Sequence, residues 1–184
     1  MSKQPAMRTD DELMLAHRAG DKRAFETLFD RYRESVWRFF RRRVPDAQRS
    51  EELTQETFLA VLKGADRYEP RESFRSYLFG IGFNLLSASR REARREAATT
   101  LDDVDVAAPG SDATAVLWVR QALAELEGDE REVLMLREYD QLSYTEIATL
   151  MGVAVGTVRS RLFRARMALR DKLAGQAETE GVSR

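Results

Sequence analysis

The 184-residue sequence predicts an all-α protein of two small helical domains joined by a flexible linker, with a helix-turn-helix in the second domain. Three observations lead there. Apolar residues recur three and four apart along most of the chain, and no segment alternates apolar and polar as a half-buried strand does. Residues 97–112 turn instead to Ala, Thr, Asp, Pro and Gly, which offer little apolar surface and several helix breakers. Near the C-terminus, Gly152 interrupts two helical patterns after a Ser143–Glu146 capping signature. The expected division is a first domain over residues 10–96, a linker over 97–112, a second domain over 113–173 and a disordered tail over 174–184.

In the first domain Asp21 suits a helix N-cap, and Phe25, Leu28, Phe29, Tyr32, Val36, Phe39 and Phe40 then form one apolar stripe until Pro45 stops the helix. A second helix is expected from near Asp46 to Lys63, ended by Gly64. Residues 65–72, with Pro70, read as a loop before a long helix from Ser73 to about Glu96. In the second domain one helix is expected from near Asp112, carrying Val116, Val119, Leu123 and Leu126. Another follows Gly128, with Val133, Leu134 and Leu136.

Composition excludes several functions. No stretch approaches the roughly 18 apolar residues of a membrane helix, and residues 1–11 lack an apolar signal region. There is no cysteine, hence no disulfide, thiolate metal site or cysteine nucleophile. A cytoplasmic location is expected, with no cofactor. The single histidine, His17, lies in a polar N-terminal helix candidate with no metal, nucleotide or nucleophile motif around it, so an enzyme is the least favoured class. The net charge of -1 conceals segregation: residues 154–172 hold six basic side chains against Asp171 alone, whereas residues 99–142 hold eleven acids against three arginines. Nucleic acid responds to such local potential rather than to the sum.

After Gly152, apolar residues resume at Val155, Val158, Leu162, Ala165, Leu169 and Leu173, all on one helical side. Thr157, Ser160, Arg164 and Met167 fall on the opposite side, flanked by Arg159 and Arg161. Arginine bonds guanine bidentately or grips phosphate, and the N-terminal part of a recognition helix approaches the bases. Arg159 and Arg164 are expected at bases or nearby phosphate, with Thr157, Ser160, Arg161 and Arg166 mainly on the DNA backbone. The bland alternative is a solvated charged face.

The run Gly156-Thr157-Val158-Arg159-Ser160-Arg161-Leu162-Phe163-Arg164-Ala165-Arg166, preceded by Tyr144-Thr145-Glu146-Ile147-Ala148, resembles the −35 reading helix-turn-helix of bacterial extracytoplasmic-function sigma factors. Glu51-Glu52-Leu53-Thr54-Gln55-Glu56-Thr57-Phe58 is similar to that family's segment that docks on the β′ clamp helices of RNA polymerase. Glu52, Gln55, Glu56 and Leu59 share a helical side and so form one candidate docking patch, although the family more often has Asp where Glu52 stands. Residues 74–84 resemble the promoter-melting helix, with Tyr77 where a tryptophan is usual and Phe83 where an arginine is frequent; further on, Ala88 stands where an acid is frequent. Gly80 and Gly82 also each cost about 1 kcal/mol relative to alanine in a helix interior.

The resemblance implies that Asn84 and residues of the preceding loop, about 66–73, hold a flipped base of the −10 element. Arg75, Arg90, Arg91, Arg94 and Arg95 would follow the DNA strand. Asparagine offers donors and an acceptor to a base edge, and arginine stacks on bases or neutralises phosphate. Implied partners are core RNA polymerase (β′ clamp helices and β flap), promoter DNA and an anti-sigma factor. Two other classes stay open on the residues alone. A dimeric helix-turn-helix repressor or activator would read a two-fold site without polymerase. A protein-interaction module would show no salt-dependent DNA binding.

Overall fold

Residues 8–70, 73–99, 119 and 121–181 are described in the computed structural model. Regular structure among them is helical: α1 (Asp10–Arg18), α2 (Lys22–Arg41), α3 (Ala47–Gly64), a short 3₁₀ turn (Ala65–Arg67), α4 (Phe74–Thr99), α5 (Gly128–Glu138), α6 (Tyr144–Met151) and α7 (Val155–Gly181). The chain divides into two units, Met1–Val106 and Ala107–Arg184.

Side-chain caps start the first three helices, each satisfying backbone N–H groups that have no partner within the helix. Thr9 accepts from the Glu12 N–H at 3.3 Å, while Glu12 Oε2 accepts from the Thr9 N–H at 2.8 Å. This capping box fixes the start of α1, which the sequence reading left as a bare candidate. Asp21 caps α2 as expected, accepting from Arg23 and Ala24, and Asp46 caps α3 by accepting from Gln48.

The core of the first unit gathers Leu13 and Met14 of α1, Leu28, Val36, Phe39 and Phe40 of α2, Leu53 and Val61 of α3, and Phe74, Leu78, Phe79 and Leu86 of α4, all at most 4% exposed. Each such side chain is worth about 1.5–3 kcal/mol of burial. Phe25 and Phe29, at the start of the expected stripe, are only half-buried and pack on the Phe58 ring. Buried hydroxyls on α3 are satisfied within the helix: Thr54 donates to the Ser50 carbonyl and Thr57 to the Leu53 carbonyl, both at 2.7 Å.

Two glycines differ in what a side chain would meet. Gly64 is the last residue of α3 with a right-handed backbone (φ −90°), and the chain runs on into the 3₁₀ turn. What requires glycine there is close approach, since a Cβ would collide with the Tyr77 hydroxyl. Gly82 sits against Phe40, Phe39 and Thr57, where a Cβ would meet atoms at 3.5–3.8 Å, an ordinary contact.

In the second unit, residues 121–124 are helical and bring in the buried Ala122, with Leu126 buried after them. The helix start expected near Asp112, with Val116, and residues 100–112 of the expected linker lie outside the described residues. Helices α5 and α6 both pack on α7 around Val133, Leu136, Leu142, Ile147, Val158, Leu162 and Ala165. Gln141 turns the chain between α5 and α6 at φ 55°. The α4 backbone continues to Thr99 and the α7 backbone to Gly181, so helix enters the stretches expected as linker and disordered tail. Ala97, Ala98, Ala174, Gln176, Ala177 and Glu178 are good helix formers, and the polarity of these stretches outweighed that propensity in the sequence reading.

Candidate nucleic-acid and polymerase interfaces

The helix-turn-helix is built from its caps. Ser143 accepts from the Glu146 N–H at 3.2 Å and the Glu146 carboxylate accepts from the Ser143 N–H at 2.6 Å, so α6 begins where the capping signature placed it. Gly152 ends α6 in the left-handed region (φ 65°, ψ 35°), and its N–H returns to the Ala148 and Thr149 carbonyls. Three residues later α7 starts, its inner side closed by Val158, Leu162 and Ala165 at 0–2% exposure.

The outer side of α7 carries Arg159, Ser160, Phe163, Arg164 and Arg166, all exposed, with Thr157 and Arg161 half-buried. Ser160 donates its hydroxyl proton to the Thr157 carbonyl at 2.9 Å, so its oxygen remains an available acceptor. The arginines divide into two kinds. Arg161, Arg164 and Arg166 are tied to acids of the same unit: Asp129 at 2.6 Å, Glu130 at 2.6 Å and Glu138 at 2.6 Å. Arg159 makes no ion pair among the described residues and is exposed near the start of α7. Arg164, expected to be equivalent to Arg159, instead has its Nε bonded to a Glu130 side chain that is only 12% exposed; its Nη donors face outward. Lys172 extends the pattern with Glu125 at 2.5 Å. The acids of residues 125–138 are thus in part counter-charges for α7, a pairing across 28–47 residues that no local spacing rule reveals. Phe163, 64% exposed among these arginines, is a candidate contact that the sequence reading passed over. The signal was available: it falls outside the apolar side formed by Val158, Leu162 and Ala165.

On α3, Glu52, Gln55 and Leu59 are exposed and Glu56 half-buried, on the side opposite Leu53, Thr57 and Val61. The structure therefore brings the expected patch together. It adds Leu62, 38% exposed beside Leu59 at 52%, and Arg49, whose Nη1 bonds both Glu52 and Glu56 at 3.1 Å and holds the two carboxylates in register.

On α4, Asn84, Arg90, Arg91, Arg94 and Arg95 are exposed, and Ala88 with them. Arg75 is set apart: it is half-buried, with its guanidinium 5.1 Å above the Phe79 ring, inside the packing of its own unit. Its place two residues into α4 explains this, since Phe74 and Ser76 on either side are buried. Tyr77 is half-buried with its ring 5.1 Å from Tyr68. Among the described residues no group of His, Asp and Glu side chains is arranged to hold a metal. His17 is half-buried and packs on the Phe25 ring at 5.0 Å.

Two family descriptions match the sequence: "Sigma-70 region 2" over residues 28–96 and "Sigma-70, region 4" over residues 117–169. The chain is 35% identical over 175 residues to the ECF RNA polymerase sigma factor SigC of Mycobacterium tuberculosis, covering 89% of this chain and 93% of that one. It is 32% identical to the RNA polymerase sigma-H factor of Pseudomonas aeruginosa, covering 87% and 91%. Among solved structures it resembles CnrH in complex with the cytosolic domain of CnrY, with a TM-score of 0.68 and 28% identity over 90% of this chain and 97% of that one. The helix-turn-helix with its outward arginines and the α3–α4 unit before it are thus regions 4 and 2 of one family, and the chain belongs to the extracytoplasmic-function sigma factors of the sigma-70 family.

Proposed function

We propose that residues 10–96 bind core RNA polymerase and capture the −10 element, while residues 113–173 read the −35 element, residues 97–112 passing between them. The observation that carries the DNA assignment is the outer side of α7, where Arg159, Phe163 and Arg164 stand exposed on the first turns after Gly152. Arg159 is the foremost base-reading residue. Arg164 reads beside it with its guanidinium oriented by Glu130, leaving two Nη groups for a guanine edge or a phosphate. Phe163 lies against apolar base edges such as a thymine methyl. Thr157, Ser160, Arg161 and Arg166 position the helix on the backbone.

On α3, Leu59 and Leu62 supply the apolar centre of the polymerase contact, with Glu52, Gln55 and Glu56 as its polar rim on the β′ clamp helices. The second unit meets the β flap. On α4, Asn84 holds an unstacked base and Arg90, Arg91, Arg94 and Arg95 follow the strand; Arg75 serves from within the unit. Strand opening is driven by binding energy, and no covalent bond is made or broken by the protein. Solved relatives are held by other proteins, CnrH by the cytosolic domain of CnrY among them, which supports an anti-sigma partner for this chain too. Among the described residues no helix is long and apolar enough to cross a membrane, which is consistent with action at the polymerase in the cytoplasm.

Separable losses test the division of labour. Arg159→Ala weakens binding to a −35 duplex by about 1–3 kcal/mol and leaves affinity for core polymerase unchanged, whereas Leu59→Asp does the reverse. Parallel loss of both activities in either variant contradicts the assignment.

A further inference from the structure

Helix α1 has no part in the contacts proposed above, yet two of its polar side chains reach across the unit, through three hydrogen bonds, to the segment that leads into α4. One oxygen of the Asp11 carboxylate accepts the Tyr68 hydroxyl proton at 2.6 Å and the Phe74 backbone N–H at 2.9 Å. Arg18, two turns along α1, donates from Nη1 to the Tyr68 carbonyl at 2.9 Å. Tyr68 is thus held at both its side chain and its main chain, and it is 2% exposed, with its ring against Phe74 at 6.1 Å and Tyr77 at 5.1 Å. Burial and the bond to Asp11 raise the Tyr68 pKa.

These bonds span 50 to 63 residues of sequence and join at the two flanks of one short connection. A hydrophobic core alone would accept phenylalanine at position 68. The hydroxyl and its carboxylate partner add direction: the Tyr68 hydroxyl is buried and costly to leave without a partner, so its bond to the half-buried Asp11 admits few arrangements of the chain around it. Residues that must meet a base within hydrogen-bond tolerance need this kind of support from behind.

We infer that Asp11, with Arg18, is a positioning residue for −10 recognition: α1 braces Tyr68 and the start of α4, the helix that carries Asn84, before a single strand arrives. This rests on the proposed −10 role of Asn84. Asp11 and Arg18 touch no DNA in this scheme and act through Tyr68 and Phe74.

The test uses full-length protein assembled with core polymerase. The probes are two fluorescent non-template-strand oligonucleotides, one carrying the −10 sequence of a promoter that this holoenzyme selects from random DNA, the other the same bases scrambled. Tyr68→Phe keeps the ring and removes one oxygen; Asp11→Asn keeps the shape and removes the charge. Both are expected to lower the ratio of specific to scrambled affinity about three- to tenfold, with scrambled affinity and core polymerase affinity retained. Arg18→Met, which leaves the Tyr68 hydroxyl untouched, is expected to lower the same ratio. A purely structural role would reduce binding of both probes together through a smaller folded fraction and leave the ratio unchanged, which overturns the inference. Asn84→Ala is the control for the underlying reading. If it lowers the ratio and the brace variants do not, the brace is wrong; if it leaves the ratio intact, the −10 reading fails and the brace with it.

Discussion

At the scale of single residues, the buried tyrosines of the first unit give a pH signature. Burial, with the Asp10 carboxylate accepting its proton, pushes the Tyr32 pKa up to about 12 from 10.0, and Tyr68 shifts in the same direction. Between the unfolded and folded values the native state holds a phenolic proton that the unfolded chain has lost, so stability falls as pH rises through that window. The contribution is fully present below pH 10 and declines from there to about 12. Denaturant titrations across that range should show the fall in the wild type and a shallower one in Tyr32→Phe; an equal slope in the variant would count against the buried hydrogen bond. Of the residues proposed for DNA, the exposure of Arg159 was legible from its place on the helical wheel. The constraint on Arg164 was not, because Glu130 lies 34 residues away and only the packing of α5 on α7 brings them together. Arg75 was expected at the −10 strand on motif position; it is half-buried with its guanidinium over the Phe79 ring, a contact that the motif alone does not reveal.

Helices make the case at the next scale up. Their existence was legible wherever an apolar stripe coincided with a cap, as at Asp21 and at Ser143 with Glu146. Their ends were less so: α4 and α7 run past the boundaries that polarity suggested, because local propensity carries a helix on after its buried face has ended. The two α3–α4 glycines yield opposite expectations. Gly82→Ala adds a methyl at ordinary contact distance from Phe40 and should raise stability by about 1 kcal/mol through helix propensity. Gly64→Ala drives a methyl into the Tyr77 hydroxyl and displaces a ring that touches Tyr68 and Phe74. Thermal melts of the two variants should therefore move in opposite directions. A stabilised Gly64→Ala protein would mean that Tyr77 does not pack as described.

Over the whole molecule, a net charge of -1 hides a basic helix whose arginines are partly matched by acids of their own unit. Counterion release then depends on the cations placed on phosphate, and Arg166→Ala should reduce the slope of log affinity against log salt by about 1 on a −35 duplex, whereas the base-reading Arg159→Ala should leave that slope nearly unchanged. The two-part organisation was legible from the breaker-rich residues 97–112 and from motifs on each side of them. Ties between remote residues, such as Asp11 with Tyr68, required the fold. The central claim is that one chain supplies both polymerase binding and promoter choice, and its most direct test is multi-round transcription in vitro with core polymerase and a library of genomic fragments. RNA starting at a fixed distance from a shared −35 and −10 pair, dependent on the added chain and lost with Leu59→Asp, is the predicted result. Absence of promoter-dependent RNA from every enriched fragment would contradict it.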